Sequence, residues 1–307
     1  MKNELILHHY DASPYCEKLR LILGHKGLAW KSVLQPMMMP KPDLTPLTGG
    51  YRRLPVLQIG ADIFVDSALI ASELERRFPE PTLYPTGGPP WASVVVAWSD
   101  VYLFWKSVRL AIGCAADHLP DAFMRDRALM NKAEMLDPQA AKAELPQTRS
   151  QLLIAMDWLE SGLTAAPYVS GGAAGYADYA IYHNLWFVQH SEPELIDTSR
   201  YPRLAAWMSA ITITGHGQRN EIASAKALAI AQAAEPESIA YLGNESDISG
   251  ISVGDTISIT AEYNGLESVA GRVVGINGER ISIVREAPEV GRVVVHFPRF
   301  SYVLKKL

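Results

Sequence analysis

The stretch that most restricts how this chain can fold is Leu5 to Arg20, LILHHYDASPYCEKLR. The apolar run Leu5-Ile6-Leu7 predicts a buried strand, Asp11-Ala12-Ser13 a polar turn, and the apolar residues from Leu19 to Leu23 the continuation of a helix. Ser13 then falls at the helix N-cap, and Pro14 at the first helical position, where the missing N–H costs nothing. Glu17 lies one residue beyond the place of a capping-box acid. At such a corner the free N–H groups and the positive end of the helix dipole converge above Ser13, a setting that stabilises an anion such as a thiolate.

Two further landmarks follow. Trp30–Leu34 alternates as a second strand, and Arg52–Ile59 reads as a third that carries Pro55 near its start, where a missing ladder donor is tolerated. Gly60-Ala61-Asp62 is a turn and Ile63–Val65 a return strand. Asp66-Ser67 then caps a helix whose apolar positions Leu69, Ile70, Leu74 and Phe78 keep helical spacing. A second helix N-terminus suited to an anion is therefore expected.

Ser13-Pro14-Tyr15-Cys16 resembles the Cys-Pro-Tyr-Cys redox motif of glutaredoxins with serine in place of the first cysteine, as in serine-type glutathione transferases. Together with Leu54-Pro55 and Asp66-Ser67, it gives the chain a resemblance to the cytosolic glutathione transferase superfamily over about residues 5 to 235. The resemblance implies a thioredoxin-like fold in which Pro55 is cis and Leu54 offers its backbone to the cysteinyl part of glutathione. It implies that Asp66 takes the γ-glutamyl ammonium, that Ser67 takes its carboxylate, and that Ser13 activates the thiol. Asp66 stands where the family more often has Glu. Tyr10, just after the strand, competes with Ser13 for the catalytic hydroxyl, and Cys16 is an alternative working thiol.

After the proline-rich break at 79–90, helical periodicity runs through Trp91–Gly113, Phe123–Leu136, Pro146–Leu163, Asp178–Val188 and Pro202–Ile213. Gly175-Tyr176-Ala177-Asp178 resembles the family's Ser/Thr-x-Ala-Asp capping box, with glycine leaving only the Asp178 half. Trp98, Tyr102, Phe104 and Trp105 are candidates for an apolar acceptor pocket as well as for the core. Beyond Pro236, five short runs (Ile257–Tyr263, Val269–Val274, Ile281–Val284, Val293–Phe297 and Tyr302–Leu304) read as strands separated by Asn264-Gly265, Asn277-Gly278 and Pro288. The expected architecture is an α/β thioredoxin-like glutathione-binding domain over 1–86, an all-α domain over 90–235 and a small all-β, barrel-like domain over 236–307.

Composition narrows the function. At 307 residues with 48% hydrophobic content, the chain suits more than one globular core. Its net charge of −5, and nine acids against seven Lys/Arg after Pro236, offer no footprint for nucleic acid or an anionic membrane. Asp100, Lys106 and Arg109 interrupt the best apolar run, so no membrane span is expected. Two isolated cysteines, Cys16 and Cys114, suggest no disulfide framework and fit a reducing, cytoplasmic setting. The eight histidines lack ligand spacing, so no metal site is expected. The expectation is a glutathione S-transferase with glutathione as co-substrate, a hydrophobic electrophilic small molecule as acceptor, and a homodimeric state. The alternatives are a non-catalytic binding or scaffold protein on the same fold and a Cys16-dependent thiol transferase.

Overall fold

A computed structural model describes residues 4–130, 137–237, 248–262 and 267–307. The first unit runs β1 (Ile6–His9), α1 (Pro14–His25), β2 (Ala29–Leu34), α2 (Thr45–Thr48), β3 (Val56–Ile59), β4 (Asp62–Val65) and α3 (Ser67–Arg77). β1 pairs parallel with β2 and antiparallel with β3, and β3 pairs antiparallel with β4. β1, β3 and β4 are buried along their whole length and β2 through its middle, as a sheet covered on both sides demands, and the polar residues they carry are buried with them. The strand-to-helix corner forms as the sequence predicts: Ser13 has extended backbone at φ −83°, ψ 122°, and its Oγ accepts the Cys16 N–H at 3.3 Å. The Leu54–Pro55 peptide is cis.

The helical unit comprises α4 (Gly88–Trp98), a π-helical turn at Ser99–Leu103, α5 (Phe104–Ala115), α6 (Asp121–Met130), α7 (Pro138–Ala143), α8 (Leu145–Gly162), α9 (Tyr176–Ser191) and α10 (Pro202–Ile213). α9 is its axis, with Tyr179, Ala180 and Leu185 fully buried in a core that also takes Leu19, Ile22 and Leu23 of α1. Asp178 supplies the expected half of the capping box by accepting the Gly175 N–H at 3.0 Å. It also takes the Val169 and Ser170 N–H groups at 2.8 and 3.1 Å and the Trp207 indole at 2.8 Å. The end of the helix expected over Phe123–Leu136 and the turn at Asn264-Gly265 lie outside the described residues.

Two segments lie elsewhere than the sequence pattern places them. After α10 the chain returns to the first unit: β5 (Gln218–Glu221) pairs parallel with β2, and α11 (Ser224–Gln232) packs Ala227 beside Ile6 and Val33. The strand Gln-Arg-Asn-Glu is polar and mostly exposed, so periodicity carries no sign of it. The C-terminal strands β6 (Thr256–Ala261), β7 (Ser268–Ile276), β8 (Arg280–Ala287), β9 (Gly291–Pro298) and β10 (Tyr302–Lys306) form the expected β region. They do not stand apart, because β9 pairs parallel with β4 and the sheet runs continuously in the order β10-β6-β7-β8-β9-β4-β3-β1-β2-β5.

That sheet is strongly rolled. Five interstrand steps of about 4.8 Å would set β10 about 24 Å from β4 in a flat sheet. Yet the Tyr302 hydroxyl at the head of β10 lies 3.1 Å from Asp66, the residue that follows β4. The inner face of the roll holds Ile257, Val269, Val273, Ile281, Ile283, Val293, Val295 and Phe297 in one core with Leu44, Leu47, Leu54, Val56 and Val65 of the first unit.

Candidate functional site

Strand register gathers the site. β1 and β3 pair with His8 opposite Val56, so Pro55 lies at the end of β1 from which the Tyr10–Ser13 turn departs. β3 and β4 pair with Val56 opposite Val65, so Asp66 comes level with Pro55. Ser13, Leu54-Pro55 and Asp66-Ser67, distant in sequence, therefore converge on one end of the sheet, where the N-termini of α1 and α3 also open. Both helix ends offer free N–H groups and positive dipole to an anionic ligand.

Ser13 is 2% exposed, and its backbone N–H donates to the Tyr10 carbonyl at 3.2 Å. The two residues that compete in the sequence are thus neighbours through the backbone, and burial pushes the Tyr10 phenol up. Cys16 is fully buried one turn inside α1. Burial raises its thiol despite the Ser13 hydrogen bond and the nearby Arg20 and Lys41 charges. Asp66 sits at φ 73°, ψ 132°, caps α3 by accepting the Ala68 N–H on Oδ1 at 2.9 Å, and accepts the Tyr302 hydroxyl on Oδ2. Ser67 is buried in the first turn of α3.

The wall facing this sheet end comes from the helical unit. Tyr15 donates to the Asp100 carbonyl at 2.6 Å, and Lys18 pairs with the Asp100 carboxylate at 2.6 Å. Asp100 lies in the π-helical turn, a local widening of the helix that recurs at functional sites. Burial pushes its carboxyl up, Lys18 pulls it down, and the charge of Asp66 adds to the rise. Asp100 Oδ1, His183 Nε2 and the Tyr176 hydroxyl are buried with no hydrogen-bond partner among the described residues, the first two 3.9 Å apart. Of the aromatic candidates, Tyr102 is 68% exposed beside this wall, whereas Trp98 and Phe104 pack inward, Phe104 against Tyr15 at 4.6 Å.

The sequence pattern carries no sign of the part played by the C-terminal strands. Tyr302 and Tyr51 are 3.2 Å apart through their hydroxyls and both rest edge-on against Phe297. The loop Thr48-Gly49-Gly50-Tyr51 has positive φ at Gly49 (75°) and Gly50 (104°). A Cβ on Gly49 would fall 2.2 Å from the Arg285 guanidinium of β8, so this loop is shaped to seat the C-terminal region. Among the described residues, no group of three or more His, Cys, Asp or Glu is placed to hold a metal ion, and no helix is long and apolar enough to cross a membrane.

The sequence matches the family models for the glutathione S-transferase N-terminal domain over residues 7–82 and C-terminal domain over residues 142–210. No curated protein matches the chain. Among solved structures, a GST-like protein from Pseudomonas syringae is 35% identical with a TM-score of 0.82, and the match covers 100% of both chains. A glutathione S-transferase from Rhodospirillum rubrum is 19% identical over 68% of this chain and 87% of its own, with a TM-score of 0.51. The β-etherase LigF from Sphingobium is 19% identical over 69% and 95%, with a TM-score of 0.52. The last two share the fold. The landmarks at the sheet end, both domain models and the end-to-end match to the Pseudomonas syringae protein agree, and the chain belongs to the glutathione transferase superfamily.

Proposed function

We propose that this chain binds glutathione at the shared end of β1, β3 and β4 and activates its thiol for attack on an electrophilic, fairly apolar small molecule. The observation that carries the reading is the convergence of Ser13, Leu54-Pro55 and Asp66-Ser67 with two helix N-termini at that sheet end. In this reading Asp66 faces the γ-glutamyl ammonium, Ser67 and the first turn of α3 its carboxylate, and the Leu54 backbone the cysteinyl group. Ser13 donates a hydrogen bond to the sulfur, and Tyr10, whose carbonyl accepts the Ser13 N–H, is the alternative donor. The thiol gives its proton to solvent, the sulfur forms a bond to the electrophilic carbon, and the acceptor's leaving group departs or its double bond takes up the electron pair.

The energetics suffice. Lowering a thiol pKa by two units requires roughly 2.7 kcal/mol. A hydrogen bond to an anion supplies about 1.5 to 3 kcal/mol, and a helix terminus up to about 2 kcal/mol. The test is the ultraviolet absorbance of the thiolate of bound glutathione as a function of pH. Ser13→Ala should raise that thiol's pKa by roughly one to two units, the equivalent of the lost hydrogen bond. An unchanged titration in Ser13→Ala with a raised one in Tyr10→Phe would move the role to Tyr10.

The burial and raised thiol of Cys16 weigh against a Cys16-dependent transferase, because the thiolate is the reactive form. A non-catalytic scaffold is distinguished by binding: no heat and no thermal shift at millimolar glutathione favours it. A cytoplasmic setting, a detoxifying role and a homodimer belong to the same proposal, and sedimentation of the full chain tests the last.

A further inference from the structure

Asp66 stands out in its own backbone. Among the described residues, Asp66 (φ 73°) and Ser301 (φ 67°) are the non-glycine residues with positive φ. Such conformations persist where surrounding structure enforces them, and they cluster at ligand sites. Here the two strained residues bracket a single contact, because Ser301 immediately precedes Tyr302, whose hydroxyl meets Asp66.

The direction of that contact is fixed by chemistry. An ionised carboxylate only accepts, so Tyr302 spends its one proton on Asp66 Oδ2 at 3.1 Å, and the Tyr51 hydroxyl then donates to Tyr302 at 3.2 Å. The other oxygen, Oδ1, is held by the Ala68 N–H. Both carboxylate oxygens are thus pinned, each with lone pairs left over for a further donor. The tyrosines are themselves immobilised: both rings rest edge-on against Phe297, at 6.0 and 5.8 Å, and Tyr302 is fixed in the sheet opposite Ala261. Ser301 is tied down by the Glu262 N–H, which its carbonyl accepts at 2.9 Å.

We propose that Tyr302, supplied by the C-terminal β region, is a positioning residue for the amino end of glutathione: it aims the Asp66 carboxylate at the γ-glutamyl ammonium. The binding site is then incomplete without the C-terminal strands, which act as a wall of it. The proposal rests on the glutathione reading given above.

Calorimetry on the full-length protein tests it, with two ligands: glutathione and an analogue whose γ-glutamyl α-amine is replaced by hydrogen. For Tyr302→Phe, glutathione binding should weaken about tenfold, as befits one hydrogen bond to a charged group. Binding of the deaminated analogue should stay as weak as it is in the wild type, because the contact that Tyr302 serves is then missing. In turnover, KM for glutathione should rise more than kcat falls, since the contact is remote from the sulfur. Unchanged glutathione affinity in Tyr302→Phe overturns the proposal, and so does an equal loss for both ligands, which marks a merely structural role. If Tyr302→Phe does not fold, Tyr51→Phe takes its place: a loss confined to glutathione supports the proposal, and no loss or an equal loss overturns it. Absence of binding in the wild type fails the glutathione reading itself and is distinct from any of these variant results.

Discussion

One carboxylate of Asp178 accepts four N–H groups, three from backbone and one from Trp207, in a fully buried position. Asp178→Ala would strand these donors, and at about 1 to 3 kcal/mol for a buried unsatisfied group the loss should reach at least about 3 kcal/mol after partial relaxation. A urea titration followed by circular dichroism measures it. At this scale the sequence was informative wherever the chemistry is local. Ser13 with Pro14 announces a helix start, and Asp66 before an apolar helix announces another, because the cap and the groups it satisfies lie within three residues. Tyr302 was illegible: its partner Asp66 is 236 positions away, and no local pattern marks a tyrosine at a strand head as anything but packing. The glycine pair in Thr48-Gly49-Gly50-Tyr51 is visible in the sequence, but the Arg285 that seats against it is not.

Between elements, the seam where β4 meets β9 is short, with three register pairs, and polar side chains reinforce it. Ser282 donates to His296 Nδ1 at 2.7 Å and His296 Nε2 donates to Asp62 Oδ1 at 2.9 Å, all three being buried, with His296 stacked on Phe64 at 4.3 Å. Beside it Glu73 binds Arg76, Arg77 and Arg280. Burial alone would raise the Glu73 carboxyl, but those guanidinium groups hold it down to about 2. Ser282→Ala leaves His296 Nδ1 without its donor in a dry site, so unfolding by urea should become easier by about 1 to 3 kcal/mol. The five C-terminal strands, though not the return of β10 to β6, were readable from their alternation and turns, and β6 to β9 pair in chain order through short connections. Where the group attaches was not, because a parallel pairing with β4 leaves no mark on either strand's own pattern. β5 escaped notice for a related reason: its place is set by β2 and not by apolar residues of its own.

Across the whole molecule, buried histidines set the response to acid. Burial lowers His8 from 6.5 to about 4 and, with Arg20 and Arg219 adding to it, His9 from 6.5 to about 3. Between pH 6.5 and those values the unfolded chain binds protons that the folded chain refuses, so stability falls as pH falls, by up to about 1.4 kcal/mol per unit for each group. Glu73 extends the same loss from 4.5 down to about 2. Melting temperatures should be level between pH 7 and 8 and drop steadily below 6.5. A chain ended at Glu235 would bare the β4 edge and the apolar residues that Ile281, Val293 and Phe297 cover. Size exclusion should find it aggregated, and calorimetry should find glutathione binding lost. The rolled sheet also has a consequence in time. Asp66 and Tyr302 are joined across 236 positions, and at about 5 to 20 residues per second of synthesis roughly 10 to 50 s separate their appearance from the ribosome. The first domain is thus synthesised early and Tyr302 late, so on the proposed reading the glutathione site is complete only once the last strand has been made.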